Sequence, residues 1–353
     1  MSRKKRKAKK KFLFILLLLC FLTGIGLWGY KELNKTKPEE PKKEQLQEPE
    51  QKKLQIVDEN SDSRNIAVMY NNIDVVWGHE AGLQDAYIVY EILVEGGYTR
   101  FMAIFRDATT EKIGSVRSAR PYFLDYAFEN DAIYVHFGGS DQALSDVRTL
   151  GVNNINFMNY EPGYWRDKSL KLATEHTAFT SMSRIQEGIA NKGFASTSKV
   201  PLLLNYNVDE IDVRDKKDAK VANNVYINFS SSKSTTFEYD AVKGIYLIYQ
   251  SKGKGNLVAH KDGETGEHYT AKNIITYQIP CNPTDAYGRQ ELNNIGGGQG
   301  YYITNGYAVP ITWEKSRRTA QTVYRYLDGT KLEVNDGNTY IEIQPTGKQL
   351  TIE

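Results

Sequence analysis

The sequence predicts an α+β chain: one membrane-spanning helix, an N-terminal α/β sandwich unit, and a β-rich C-terminal unit. Three observations predict it. Residues 12–29 are an uncharged apolar run behind eight basic residues. Between residues 65 and 204, strand-type and helix-type segments alternate. Beyond residue 221, short β-branched and aromatic segments are separated by Asp-Gly and Asn-Gly turns.

The first element is the apolar run. Its 18 residues would rise about 27 Å as a helix, close to the hydrocarbon thickness of a bilayer. Trp28 and Tyr30 stand at its far end, where amphipathic aromatics favour the interface. Residues 1–11 carry Arg3, Lys4, Lys5, Arg6, Lys7, Lys9, Lys10 and Lys11. The positive-inside rule makes them a cytoplasmic tail, with a signal-anchor over 12–30 and the C-terminus outside the plasma membrane. Two alternatives stay open: a lipid anchor at Cys20, although Leu19 precedes it, and a cleaved signal near Thr23 and Gly24. Residues 31–64, rich in Lys, Glu, Gln and Pro, are expected to be a disordered tether.

The whole chain has a net charge of +2. The eight basic residues of the tail account for more than that and leave the rest at −6. An acidic body excludes a nucleic-acid partner, which needs a dense cationic face. The 24 tyrosines suit half-buried strand positions, and also surfaces that receive sugars. The two cysteines, Cys20 and Cys281, are too remote to pair, and no zinc spacing or CxxC motif exists. No metal or cofactor is expected. HExxH, GxSxG, SxxK and P-loop patterns are missing too, and the GGGQG at 296–300 has no following helix.

The α/β unit spans 65–204. Residues 65–70 are expected to be a strand, 82–95 a helix ended by Gly96-Gly97, and 99–105 a strand. A short strand at 113–116 precedes a helix capped by Ser118, with Pro121 in its first turn. Residues 132–137 read as a buried strand, and Gly138-Gly139-Ser140 opens a helix through Leu150. A connector over 205–220 leads to the unit at 221–353. Its strands are expected at 225–229, 235–239, 244–249, 274–279, 300–304, 311–314, 322–326 and 339–345.

Candidate site residues crowd into the α/β unit, at strand ends and helix starts. Arg117 and Arg120 flank a helix N-terminus and suit an anionic ligand. Their structural alternative is pairing with Asp125, Glu129 or Glu91. His136 ends a buried strand before two glycines, and His176 lies in the Glu175-His176-Thr177 loop. The two histidines are the candidates for acid/base catalysis, although a strand histidine is more often a core residue. Trp165-Arg166-Asp167 reads as a loop on which Trp165 stacks a sugar or packs as a lid. Glu91 and Glu95, four apart on the expected helix, share a face, with Glu95 the more solvated.

The stretches YIVYEILVEGGYTRFMAIF at 87–105, IGSVRSARPYFLDYA at 113–127, DAIYVHFGGSDQAL at 131–144, WRD at 165–167 and EHTAFTS at 175–181 resemble the YerB-like family of bacterial lipoproteins. HKDGETGEHYTAKNI at 260–274 and the Trp313 region resemble its C-terminal part. The resemblance covers nearly all of 65–345. It implies the same two-unit architecture and a location in the envelope of Gram-positive bacteria, and it implies no reaction. It places Glu91, Glu95, Arg100, Arg117, Arg120, His136 and His176 on the family motif, adding Arg100 and Glu91 to the ligand-binding candidates.

Two functions follow as expectations. One is an anchored envelope protein that binds peptidoglycan, an anionic wall polymer or a protein partner. The alternative is a cell-wall enzyme, a glycan hydrolase or phosphate-linked polymer transferase, with its site in the α/β unit. In layout alone, the chain resembles membrane-anchored wall-polymer transferases of the LytR type.

Overall fold

A computed structural model describes residues 3–33 and 52–353, with side chains from residue 7 onward. Two compact units emerge, one within residues 1–51 and one over 52–353. In the first, α1 (Arg3–Leu33) is a single helix, and its Lys7–Leu33 stretch, which contains an 18-residue window of mean hydropathy 2.4, is long and apolar enough to cross a membrane. Most of the expected tether, residues 34–51, lies outside the described residues. Its last part does not behave as a tether. Leu54 and Val57 are buried in a core, and the amides of Gln55 and Ile56 donate to Asp336 at 2.8 and 2.9 Å. The folded body therefore begins at residue 52, not 65.

The body is built on an 11-stranded mixed sheet. The strands of its N-terminal half are β1 (Ile66–Asn72), β2 (Ile88–Leu93) and β3 (Thr99–Phe105), then β5 (Ile133–His136) and β6 (Asn154–Asn156). Two further short strands, β4 (Ile113–Gly114) and β7 (Trp165–Arg166), join β8 (Ala178–Thr180) in a separate small sheet. Across the large sheet the order is Lys220–Val221, Tyr307–Lys315, Gly296–Thr304, Asn273–Ile279, Thr339–Pro345, β2, β3, β1, β5, β6. Val323–Tyr326 adds to Tyr307–Lys315.

The two sequence units thus share one sheet, because β2 pairs in parallel with Thr339–Pro345. The units expected at 65–204 and 221–353 are therefore not separate bodies. The connector over 205–220 is corrected with them: Asn205–Asn207 pairs with Glu333–Asn335, and Val213 is buried. A parallel pairing needs a long crossover, and here the intervening chain folds into the rest of the protein.

The expected helix over 82–95 is instead a one-turn 3-10 helix, Leu83–Asp85, followed by β2. All six residues of β2 are buried. A parallel strand covered on both faces reads as a continuous apolar run, and that run mimicked helical spacing. The β-branched Ile88, Val89 and Ile92 favour the strand.

Both faces of the large sheet are covered. On one lie α2 (Pro121–Glu129) and α3 (Asp141–Thr149), over Met69, Tyr90, Met102 and Tyr134. On the other lie α4 (Met182–Lys192) and a 6-stranded antiparallel sheet that contributes Phe237 and Tyr246. Most C-terminal strands fall where the sequence placed them. At Asn305-Gly306 both residues have positive φ, 51° and 76°, as a tight hairpin turn requires.

Candidate functional site

β6, β5, β1, β2, Thr339–Pro345 and Asn273–Ile279 all run the same way, so their C-terminal ends share one edge of the sheet. β3 runs oppositely and starts at that edge. Open α/β sheets form ligand crevices there. β1 and β5 pair only from Ile66↔Ile133 through Val68↔Val135. Past that point residues 116–120 fill the opening: Arg117 N–H donates to Met69 O (2.9 Å), and Phe137 N–H donates to Arg117 O (2.9 Å). Ala119 N–H donates to Gly138 O (2.9 Å). This insertion carries the arginines to the edge. It also explains why Arg120, not Ser118, precedes α2, with Pro121 at the first helical position. Ser140 caps α3 as the sequence predicts, accepting from Ala143 N–H at 3.3 Å.

Arg100 and Arg120 converge on Glu95. Arg100 Nη2 is 2.9 Å from Glu95 Oε1, and Arg120 Nε is 2.8 Å from Oε2. Arg120 Nη2 also donates to Oε1. The remaining donors meet backbone: Arg100 Nη1 to Ser118 O at 2.5 Å, and Arg120 Nη1 to Ala119 O at 2.6 Å. Burial alone would raise the Glu95 carboxyl, but Arg120 and Arg100 outweigh it and hold the group at about 2. Arg100 is pushed down to about 9, first by burial and then by the charge of Arg120. Glu95, expected on a solvated helix face, is instead the centre of the cluster. The arginines pair with none of Asp125, Glu129 or Glu91.

Arg117 and His176 sit beside this cluster. Arg117 Nη1 donates to Glu175 O at 2.8 Å, and its Nε is buried without a partner. His176 Nδ1 lies 3.0 Å from the Asn71 amide nitrogen, which donates to it. Asn71 is the cross-strand neighbour of Arg100. Burial, and then Arg117, hold the His176 imidazole below its ordinary value, favouring the neutral ring. Arg166 donates to Thr174 O and lies 4.5 Å over Phe137, steadying the turn that bears His176.

Four candidates, His136, Glu91, Trp165 and Asp167, fall elsewhere. His136 is fully buried, stacked on Tyr134 at 5.1 Å, with Nδ1 donating to Gly138 O (2.7 Å) and Nε2 3.2 Å from Asn154 Oδ1. That is a core histidine, and its catalytic assignment is corrected. Glu91 points to the opposite face of β2, where Thr99, Asn72 and Thr235 donate to it at 2.5, 2.9 and 2.8 Å. Lys233 Nζ lies 3.2 Å away and is equally buried. The expected Trp165-Arg166-Asp167 loop is β7 followed by a one-turn 3-10 helix. Trp165 packs against Phe179 and under Arg184, and Asp167 pairs with Lys112 at 2.7 Å.

The arginine cluster opens at Arg120 into a cleft of about 690 Å³. The starts of α2 and α3 form one wall, and the hairpin of Cys281–Pro283 and Gln290–Leu292 forms the other. Arg318 crosses the cleft to bind Asp125 (2.6 Å) and Asp146 (2.8 Å), and Arg289 pairs with Asp285 at 2.9 Å. Among the described residues, Asp141 and Glu291 in this lining make no ion pair. The sequence reading missed Arg289, Arg318, Asp141 and Glu291. Two of them lie on a hairpin distant in sequence, so no local pattern linked them to Arg120. Among the described residues, no group of His, Cys, Asp and Glu is arranged to hold a metal ion.

Comparison with known proteins agrees with this architecture. Residues 54–195 match the N-terminal domain, and 225–341 the C-terminal domain, of a family described as "protein of unknown function (DUF3048)". The chain is 29% identical over 289 residues to "Putative lipoprotein YerB" of Bacillus subtilis, covering 81% of this chain and 82% of that protein. The crystal structure of YerB protein from Bacillus subtilis superposes with a TM-score of 0.69 at 26% identity, over 82% of this chain and 94% of that one.

Proposed function

We propose that this chain, which belongs to the DUF3048 family, is a membrane-anchored protein of the cell envelope that binds peptidoglycan fragments in the cleft beside Arg120. The anchor is α1, whose apolar length spans a bilayer. The relative named as a lipoprotein supports a membrane location. The body then lies outside, on the side opposite the basic tail.

One observation carries the choice of ligand: the cleft presents charges of both signs. Arg120, Arg289 and Arg318 face Asp125, Asp141, Asp146, Asp285 and Glu291. An acidic excess repels a polyphosphate, whereas peptide stems on a glycan bring amines, carboxylates and amides together. The site's position at the C-terminal edge of parallel strands is the usual one for a small-ligand crevice.

The test titrates full-length protein in detergent with a disaccharide-tripeptide muropeptide by calorimetry. Saturable binding, weakened by Asp141→Asn and Glu291→Gln together, is expected. Binding of a polyglycerol phosphate in place of the muropeptide would overturn the choice of ligand. The enzyme alternative rests on His176, since His136 is enclosed. Turnover of the muropeptide that His176→Gln abolishes would favour it.

A further inference from the structure

The cluster of Glu95, Arg100 and Arg120 has an unusual balance. Two guanidiniums share one carboxylate. The arginine side chains are 6% and 9% exposed, while Glu95 is 28% exposed. The carboxylate is thus the most exposed of the three, while Arg120 is the member that lines the cleft. Removing two cations from water against a single anion leaves one positive charge uncompensated. The depressed Arg100 is consistent with that deficit. Arg117 lies close enough to add to it.

The backbone under Glu95 is a tight glycine turn, closed by Val94 N–H donating to Tyr98 O at 2.8 Å. Glu95 opens a three-residue turn whose next members, Gly96 and Gly97, have φ of 70° and 76°. Gly96 is exposed. The guanidiniums, by contrast, are anchored to the carbonyls of Ser118 and Ala119. A rigid pair of forks therefore faces a carboxylate on a glycine turn.

We propose that Arg100 and Arg120 form a carboxylate-binding site that the chain's own Glu95 occupies in this structure, and that a ligand carboxylate takes its place. The planar fork of each arginine matches a carboxylate, and a terminal carboxyl of a stem peptide in the adjoining cleft is the partner of that chemistry. This rests on the reading of the cleft as a peptidoglycan site. Exchange is not driven by protonation, because the Glu95 carboxyl stays ionised down to about pH 2. It is driven by competition between two anions, and the ligand's apparent affinity falls by the fraction of time Glu95 is displaced.

The test compares full-length native protein, Glu95→Gln and Arg120→Lys in detergent. The probes are the disaccharide-tripeptide muropeptide and its form with every carboxyl amidated. Removing the internal competitor is expected to tighten binding of the free-acid probe by about tenfold or more, the gain for a competent state populated a tenth of the time or less. The amidated probe should bind both proteins alike. Arg120→Lys, which keeps the charge and loses the fork, should weaken only the free-acid probe. If Glu95→Gln does not fold, Glu95→Asp, whose shorter reach loosens the same contacts, must show tightening of the same sign. Equal or weaker binding of the free acid by the Glu95 variants overturns this inference and leaves the peptidoglycan site standing. No binding of either probe by any variant overturns both.

Discussion

Lys315 Nζ lies 2.7 Å from Glu129 Oε2, an ion pair between residues 186 positions apart and almost wholly buried. The same oxygen accepts from the Thr322 amide and hydroxyl, at 3.0 and 2.6 Å, and Tyr90 donates to Oε1 at 2.6 Å. The pair fastens the end of α2 to the C-terminal strand Tyr307–Lys315. Lys315→Ala leaves Glu129 without its countercharge, and the loss should be roughly 3–5 kcal/mol. Denaturant unfolding measures it. A loss under 1 kcal/mol would mean that the Thr322 amide and the Thr322 and Tyr90 hydroxyls satisfy Glu129 without the lysine.

The shared sheet predicts how the body tolerates division. Residues 52–204 and 205–353, produced separately, should each lack a cooperative thermal transition, because β2 loses Thr339–Pro345 and its own buried face. Mixed or co-expressed, the two pieces should regain one transition. Circular dichroism melts decide it, and two independent transitions would restore the picture of separate cores.

Glu342 gives a pH prediction. It stands in register with Glu91 on neighbouring parallel strands, fully buried, and no donor reaches either of its oxygens. Burial, and then the charge of Glu91, push its carboxyl well above the ordinary range, with Lys233 opposing more weakly. The folded state therefore holds a proton on Glu342 that the unfolded chain releases. Stability from this group is complete below the ordinary carboxyl value and is lost as pH rises towards the folded one. Glu342→Gln keeps the shape and a neutral donor. Its stability relative to native protein should rise steadily from pH 5 to pH 8, and parallel pH curves would show that Glu342 is ionised.

Topology is open to a direct assay. Protease added outside wall-stripped cells should remove the body and spare a fragment containing the basic tail and α1. Cys20→Ser should leave membrane retention unchanged if α1 is the anchor. Loss of retention, together with loss of a fatty-acid label, would instead make Cys20 the anchor.

Local chemistry was legible in the residues themselves. The apolar run marked α1, Ser140 marked the start of α3, and the Asn-Gly and Asp-Gly pairs marked turns between strands. Each of these depends on neighbours within a few positions, which is the range over which periodicity, caps and turn preferences act. The argument gave way where burial was decided by distant chain. Residues 88–93 read as part of a helix because a strand covered on both faces has no alternation; α2 and α3 cover one face, the sheet bearing Phe237 and Tyr246 covers the other, and the strand beside it, Thr339–Pro345, comes from the far end of the chain.

The same division runs through the site. The sequence by itself placed Arg117, Arg120 and a helix start together, because they are adjacent in the chain. Only the tertiary structure decided that Glu95 joins Arg100 and Arg120, that His136 is enclosed while His176 reaches Asn71, and that the hairpin bearing Arg289 walls the cleft. These outcomes depend on strand order and on which face of a strand each side chain takes. Strand order is set by pairing over long sequence separations, and no local pattern encodes it.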